Sequence, residues 1–182
     1  MKIKLNNVRL AFPVLFEAKT VNGEGKPAFS ASFLMDPADP QVKALNQAIE
    51  QVAKDKWGAK SDAILKQMRA TDKVALHDGD LKSNYDGFPG NLYVSARSTT
   101  RPLVIDKDKS PLTEQDGKPY AGCYVNASVE LWPQDNNYGK RVNASLRGVQ
   151  FFRDGDAFAG GGAASEDEFD DIAEGATAED LV

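Results

Sequence analysis

Lysine and arginine stop at Arg153, and cysteine and histidine occur once each. No apolar run approaches the roughly 18 residues that would span a bilayer. Each shortage excludes something. Cys123 alone cannot build an internal disulfide framework and suits a reducing compartment. One His and one Cys leave little for nucleophilic or metal chemistry. His77, Asp78 and Asp80 gather in "HDGD", but Gly-Asp loops of this kind read as turns, and zinc-type spacing occurs nowhere. "DKDKSPLTEQDG" opens like a calcium loop with Asp106, Asp108 and Ser110. It then sets Pro111 where the sharp-turn glycine belongs and Gly117 where a bidentate Glu belongs. "GEGK" lacks the spacing and the following hydroxyl of a phosphate-cradling loop. The N-terminus "MKIKLNNVRL" alternates too strongly for a signal peptide. The expectation is a binding protein that uses no membrane, metal or cofactor, and not an enzyme.

What is present is a split of charge. The chain holds 27 acids and 22 bases, and eight of the acids but none of the bases lie after Ala159. Residues 1–159 therefore carry 19 acids against 22 bases, a formal +3, so the overall pI near 5.0 misdescribes the body. After Gly155 hydrophobic periodicity disappears. Residues 160–182 read as a flexible linker and a disordered acidic tail, and residues 1–159 as one domain.

Within that domain, "KIKLNNVRLAF" reads as a strand with a break at Asn6-Asn7, because Ile3 and Leu5 share one parity while Val8, Leu10 and Phe12 share the other. "EAKTVNGEGK" reads as a hairpin or short loop, and "PAFSASFLM" as the second strand. "DPADPQ" opens a helical insertion over about 38–70. Val42, Leu45, Ile49, Val52 and Ala53 recur at helical spacing, with Trp57 one turn on and Gly58 as the stop. A second helix follows, with Ser61 as N-cap and Ile64, Leu65 and Met68 on its buried side. Three further strands are "NLYVSARS", "CYVNASVELW" and "KRVNASLRGVQFF", and "PLVID" extends or kinks the first of these. Five strands with helices between the second and third fit a mainly β fold, an OB-type barrel.

Alternation sorts each strand into two faces. Leu92, Val94 and Ala96, then Cys123, Val125, Ala127, Val129 and Leu131, then Val142, Ala144 and Leu146 form the dry side. A bulge at Gly148 turns Val149 and Phe151 inward. The opposite faces offer Tyr93, Tyr124 and Trp132 among Arg97, Arg141 and Arg147, with Arg101 and Lys140 in nearby loops. Rings interleaved with arginines suit single-stranded nucleic acid, since unpaired bases stack on rings while cations follow phosphates without reading sequence.

The blocks "NVRLAFPVLFEAK", "GKPAFSASFLMDPADPQ", "NLYVSARSTTRPLVID" and "GCYVNASVELWPQDNNYGKRVNASLRGVQFFRDG", in this order, resemble the small single-stranded DNA-binding proteins of tailed phages. The resemblance implies an OB-type barrel with an acidic C-terminal tail. It implies coating of exposed single-stranded DNA during phage replication, recombination or repair, in the host-cell cytoplasm if the chain is phage-encoded. "EDEFDDI" is similar to tails that such proteins present to replication or recombination partners. Asp167, Glu168, Phe169, Asp170, Asp171 and Ile172 are the docking candidates, and a homodimer stays open. The competing reading is an acidic-tailed chaperone or scaffold that binds basic proteins and not DNA. A carboxylate-cluster nuclease is the third.

Overall fold

A computed structural model of the chain describes residues 1–21, 23–158, 169, 170 and 172. Seven strands and two α-helices follow in order: β1 (Lys2–Val21), β2 (Glu24–Met35), α1 (Pro40–Trp57), α2 (Ser61–Ala70), β3 (Leu76–Asp78), β4 (Leu92–Ser98), β5 (Leu103–Ile105), β6 (Tyr124–Asn136) and β7 (Gly139–Arg153). Neighbours run β3-β4-β2-β1-β6-β7-β5, and a parallel pairing of β4 with β7, at Arg97 and Ser145, closes the ring. Five strands (β1, β2, β4, β6 and β7) thus make a closed barrel. This is the OB-type arrangement the strand count predicts, with both helices between its second and third strands.

The expected dry faces supply the core. Phe33, Val94, Cys123, Val125, Val129, Leu131 and Val142 are each at most 1 % exposed. The Asn6-Asn7 break is a register shift between Leu5 and Val8, with Asn7 at φ 51°. The expected bulge at Gly148 also forms. Ser128 faces Gly148 while Val129 faces Leu146, which leaves Arg147 as the extra residue and sends Val149 and Phe151 inward.

Pro40 opens α1, with Asp39 as N-cap accepting a hydrogen bond from the Gln41 amide at 3.0 Å. Gly58 ends it at φ 58°. Leu45, Ile49, Val52 and Ala53 of α1, with Leu65 and Met68 of α2, join the barrel core. Trp57 Nε1 donates to Asp135 Oδ2 at 3.0 Å, which ties the helix end to the β6–β7 hairpin. No helix among the described residues is long and apolar enough to cross a membrane.

The structure corrects several local expectations. Ser61 is the first buried residue of α2 and not its cap, because a 3-10 turn over Gly58–Lys60 feeds straight into the helix. Much of "EAKTVNGEGK" is strand, since β1 runs to Val21. "PLVID" is a separate strand, β5, parallel to β7. Phe12 does not follow Val8 and Leu10 inward. A register shift between Ala11 and Val14, with Phe12 at φ 48°, turns its ring out to 48 % exposure. Tyr93 points away from the barrel core as parity requires, yet it is only 3 % exposed. The loop after β3 lays Phe88 over Ala11, Leu34 and Tyr93 and makes a second small core.

Cys123 lies in the barrel with no exposed surface, and burial pushes its thiol up to about 11. At pH 8 that leaves on the order of 10²-fold less thiolate than an ordinary cysteine holds. Native protein is therefore expected to resist a thiol reagent that labels the urea-unfolded chain at once. Comparable labelling of both would contradict the burial.

Candidate nucleic-acid interface

Closure of the barrel assembles the surface of interest. Because β4 meets β7 at Arg97 and Ser145, the outward residues of β4 continue into those of β7 and β6. Across β6–β7, Gln134 stands opposite Arg141, Trp132 opposite Asn143, and Glu130 opposite Ser145. Partners directly opposite share a face of the sheet. Two adjoining depressions follow. One of about 640 Å³ holds His77, Ser95, Arg97, Trp132, Arg141 and Asn143 along its walls. The other, about 440 Å³, is lined by Arg101, Glu130, Trp132 and Arg147. They share Ser98, Trp132 and Ser145, so they form one groove with Trp132 at its middle.

Trp132 is 41 % exposed, so a large part of this residue meets solvent at the middle of the groove. Four arginines surround it against one carboxylate, Glu130. Arg97 Nη2 donates to the Lys26 carbonyl at 3.2 Å, which steadies the guanidinium at the groove wall. Arg147, pushed out by the bulge, pairs with Glu130 at 3.2 Å, an exposed contact that an incoming anion can replace. The Arg101 guanidinium lies 5.8 Å from the Phe29 ring centre. Asn143 Nδ2 donates to Gln134 Oε1 at 2.8 Å and holds the floor beside Trp132. Chemically the groove offers a stacking surface, several cations at phosphate reach and neutral hydrogen-bonding groups.

Of the sequence-predicted contacts, Arg97, Arg101, Trp132, Arg141 and Arg147 come together here. Three do not. Tyr93 is covered by Phe88, and burial raises its hydroxyl above the ordinary tyrosine range, with Asp72 adding to the effect. Tyr124 stands elsewhere on the barrel. Arg153 covers its ring at 3.6 Å, Arg9 approaches at 5.6 Å, and Arg9 also lies 4.3 Å from Phe158. That stack, with Arg9 donating to the Gly122 and Asp156 carbonyls, pins residues 154–158 to the barrel. Lys140 faces a different depression, beside Trp57 and Lys73, and pairs with Asp135 at 3.6 Å. The Trp57 hydrogen bond is the chief reason the Asp135 carboxyl is held below its ordinary value.

His77 is the groove residue that sequence reading missed. Its strand has only three residues, too few to show alternation, and "HDGD" reads as a turn. In the fold Nδ1 of His77 sits 2.6 Å from Asp72, and its ring stacks on Tyr93 at 4.9 Å. Asp78 and Asp80 do cap turns: they accept from the Asp80 and Gly90 amides. Of the tail candidates, Phe169, Asp170 and Ile172 are exposed, and Asp167, Glu168 and Asp171 lie outside the described residues.

Known proteins share this architecture. The chain is 55 % identical over 175 residues to protein p50 of Acyrthosiphon pisum secondary endosymbiont phage 1, with 94 % of each chain covered. Its fold superposes with a TM-score of 0.71 and 28 % identity on the single-stranded DNA-binding protein of bacteriophage Enc34 in complex with ssDNA, covering 86 % of this chain and 88 % of that one. Gp2.5, a single-stranded DNA-binding protein encoded by bacteriophage T7, shares the fold at TM-score 0.59 and 12 % identity, covering 93 % and 97 %. The profile described as Enterobacter phage Enc34, ssDNA-binding protein, matches residues 1–182, and the chain belongs to that family of phage single-stranded DNA-binding proteins.

Proposed function

We propose that the groove around Trp132 binds single-stranded DNA without reading its sequence and protects it during phage DNA replication, recombination or repair. The observation that carries this is the placement of one exposed indole among four arginines across β4, β6 and β7. A base can stack on the ring while the guanidiniums follow the phosphates, contacts that carry no sequence information. Membership of the phage family supports the same ligand.

The acidic tail belongs to the same reading. A flexible chain of 23 residues would span about 25 Å, comparable to the width of a small barrel, and would offer its carboxylates to the groove at an effective concentration on the order of millimolar. They compete with phosphates for the arginines, chiefly at low salt. DNA displaces them, because it adds stacking to charge. The freed segment, with Phe169 and Ile172 among acids, then docks a replication or recombination protein that has a basic-rimmed pocket.

Oligonucleotide polarisation against salt tests both parts, run side by side on the full chain and a chain ending at Ala159. If four arginines each neutralise one phosphate, the logarithmic slope is about −2.8, and affinity falls about 50-fold between 50 and 200 mM salt. No binding by the shortened chain at low salt would end the DNA reading in favour of a chaperone or scaffold. The shortened chain is expected to bind more tightly than the full chain, with the gap closing as salt rises. Equal affinities at every salt would leave the tail a docking role only.

A further inference from the structure

Outside the groove lies a ledge of aromatic rings that the proposed site does not use. Phe12 is 48 % exposed and Tyr85 is 44 % exposed, and their rings meet edge to face at 5.0 Å. Beneath them Phe88 contacts Phe12 at 5.7 Å and Tyr85 at 6.2 Å, with Tyr93 5.0 Å further in. Tyr93 stacks on His77, and His77 is a wall of the groove. Two buried rings, Phe88 and Tyr93, therefore link the groove wall at His77 to the two rings that are open to solvent. Lys82 lies beside this run, its ammonium 5.3 Å from the Tyr93 ring centre and 5.9 Å from that of Phe88.

Phe12 holds this position at a cost. A φ of 48° is a left-handed conformation that a bulky side chain rarely adopts, and such strain concentrates at ligand clamps. Burial does not repay it, since the same turn leaves half the ring in water while its neighbours Leu10 and Ala11 are buried. A ring held outward, a second ring braced against it and a cation alongside match the parts of the groove itself: stacking faces with phosphate-reaching charge.

We infer that Phe12 and Tyr85, with Lys82, form a second base-stacking platform that lengthens the single-stranded DNA site beyond the groove, across His77. The inference rests on the proposed DNA binding and adds to it where the strand goes. A short strand occupies the groove around Trp132 alone. A longer one continues past His77, stacks a base on the Phe12–Tyr85 ledge and sets a phosphate near Lys82.

The experiment compares oligothymidines of about 5 and about 16 nucleotides, near the limits of what one OB barrel covers. The double variant Phe12→Gly, Tyr85→Ser removes both exposed rings, and the glycine also relieves the left-handed backbone. Expected is a loss of about 5- to 150-fold for the long strand, the range for one stacked base, with the short strand unchanged. Tyr85→Trp, which keeps a stacking face, should retain long-strand affinity and so separates lost stacking from a damaged loop. Equal affinity of variant and parent at both lengths overturns the platform, as does an equal loss at both. Unchanged DNA affinity with altered self-association also overturns it, assigning the rings to contact between copies. If the unmodified chain binds neither strand, the DNA reading itself fails.

Discussion

Replacing Trp132 and Arg141 together by alanine is expected to lower single-stranded DNA affinity by at least about 70-fold at low salt. The ring contributes roughly 1–3 kcal/mol as a stacking face. A guanidinium on a phosphate adds about 1.5–3 kcal/mol as a charged hydrogen bond. Arg141 is the better choice of arginine because it has no hydrogen-bond or ion-pair partner among the described residues, so its loss orphans no protein group. Arg147→Ala would instead free Glu130, and the exposed carboxylate would repel DNA for a second reason. The salt slope separates the two substitutions. Arg141→Ala alone should flatten it by about 0.7, one phosphate's share on a single strand, and Trp132→Ala alone should leave it unchanged. Lys140→Ala serves as the control, since that side chain faces another depression and pairs with Asp135. Parental affinity in the double variant would move the DNA site off this face.

The choice of residues shows which parts of the site could be read in the sequence. Alternation identified the outward side of β4, β6 and β7. Of the five candidate contacts that share the groove, Arg97, Trp132, Arg141 and Arg147 do so because side-chain parity survives folding, and Arg101 joins them from the loop after β4. Parity reports direction only. It cannot report what another segment lays on top, and Tyr93 is hidden by Phe88, a residue from a loop with no periodicity. Nor does it report distance along the barrel. Tyr124 and Trp132 share a face of β6, but they lie eight positions apart, and Arg9, Arg153 and Phe158 gather round the former. Lys140 and Arg141 are adjacent in sequence and serve opposite sides of the strand for the reason parity itself supplies. Lys140, expected in a loop, is a residue of β7 paired with Asp135, so alternation applies to it as well.

Architecture was legible further than the site was. The five barrel strands, both helices and the bulges at Asn7 and Gly148 each leave a local mark: a run of alternation, a helical period or a parity switch. β3, three residues long, leaves none, and β5 leaves only the short apolar run of "PLVID", which reads as an extension of β4, because their separate strand character comes from pairing with β4 and β7. The outward turn of Phe12 had no signal either. A phenylalanine on the parity of Val8 and Leu10 reads as core, and only the register shift against β2 sends it to the surface.

Phe88→Ala is expected to be the most destabilising of the substitutions considered, at about 3–5 kcal/mol. Its side chain has no exposed surface and is the hub of the second core, touching Phe12, Tyr85 and Tyr93. The loop that carries it closes on itself tightly. The Gly79 amide donates to the Asn91 carbonyl at 2.7 Å, and Asn91 donates through its amide to Phe88 and through its side chain to Gly87. A Cβ on Gly79 would collide with the carbonyls of Phe88 and Asn91, so only glycine lets the two ends of this loop approach. With so little room to collapse, a cavity at Phe88 stays open, which places its cost toward the upper part of the range. Urea unfolding of the variant beside Phe88→Leu measures this, and the leucine should recover much of the loss. A drop below about 1 kcal/mol for alanine would mean that the loop opens apart from the barrel. Tyr93 would then become reachable from solvent, and the face that alternation first assigned to it would be uncovered.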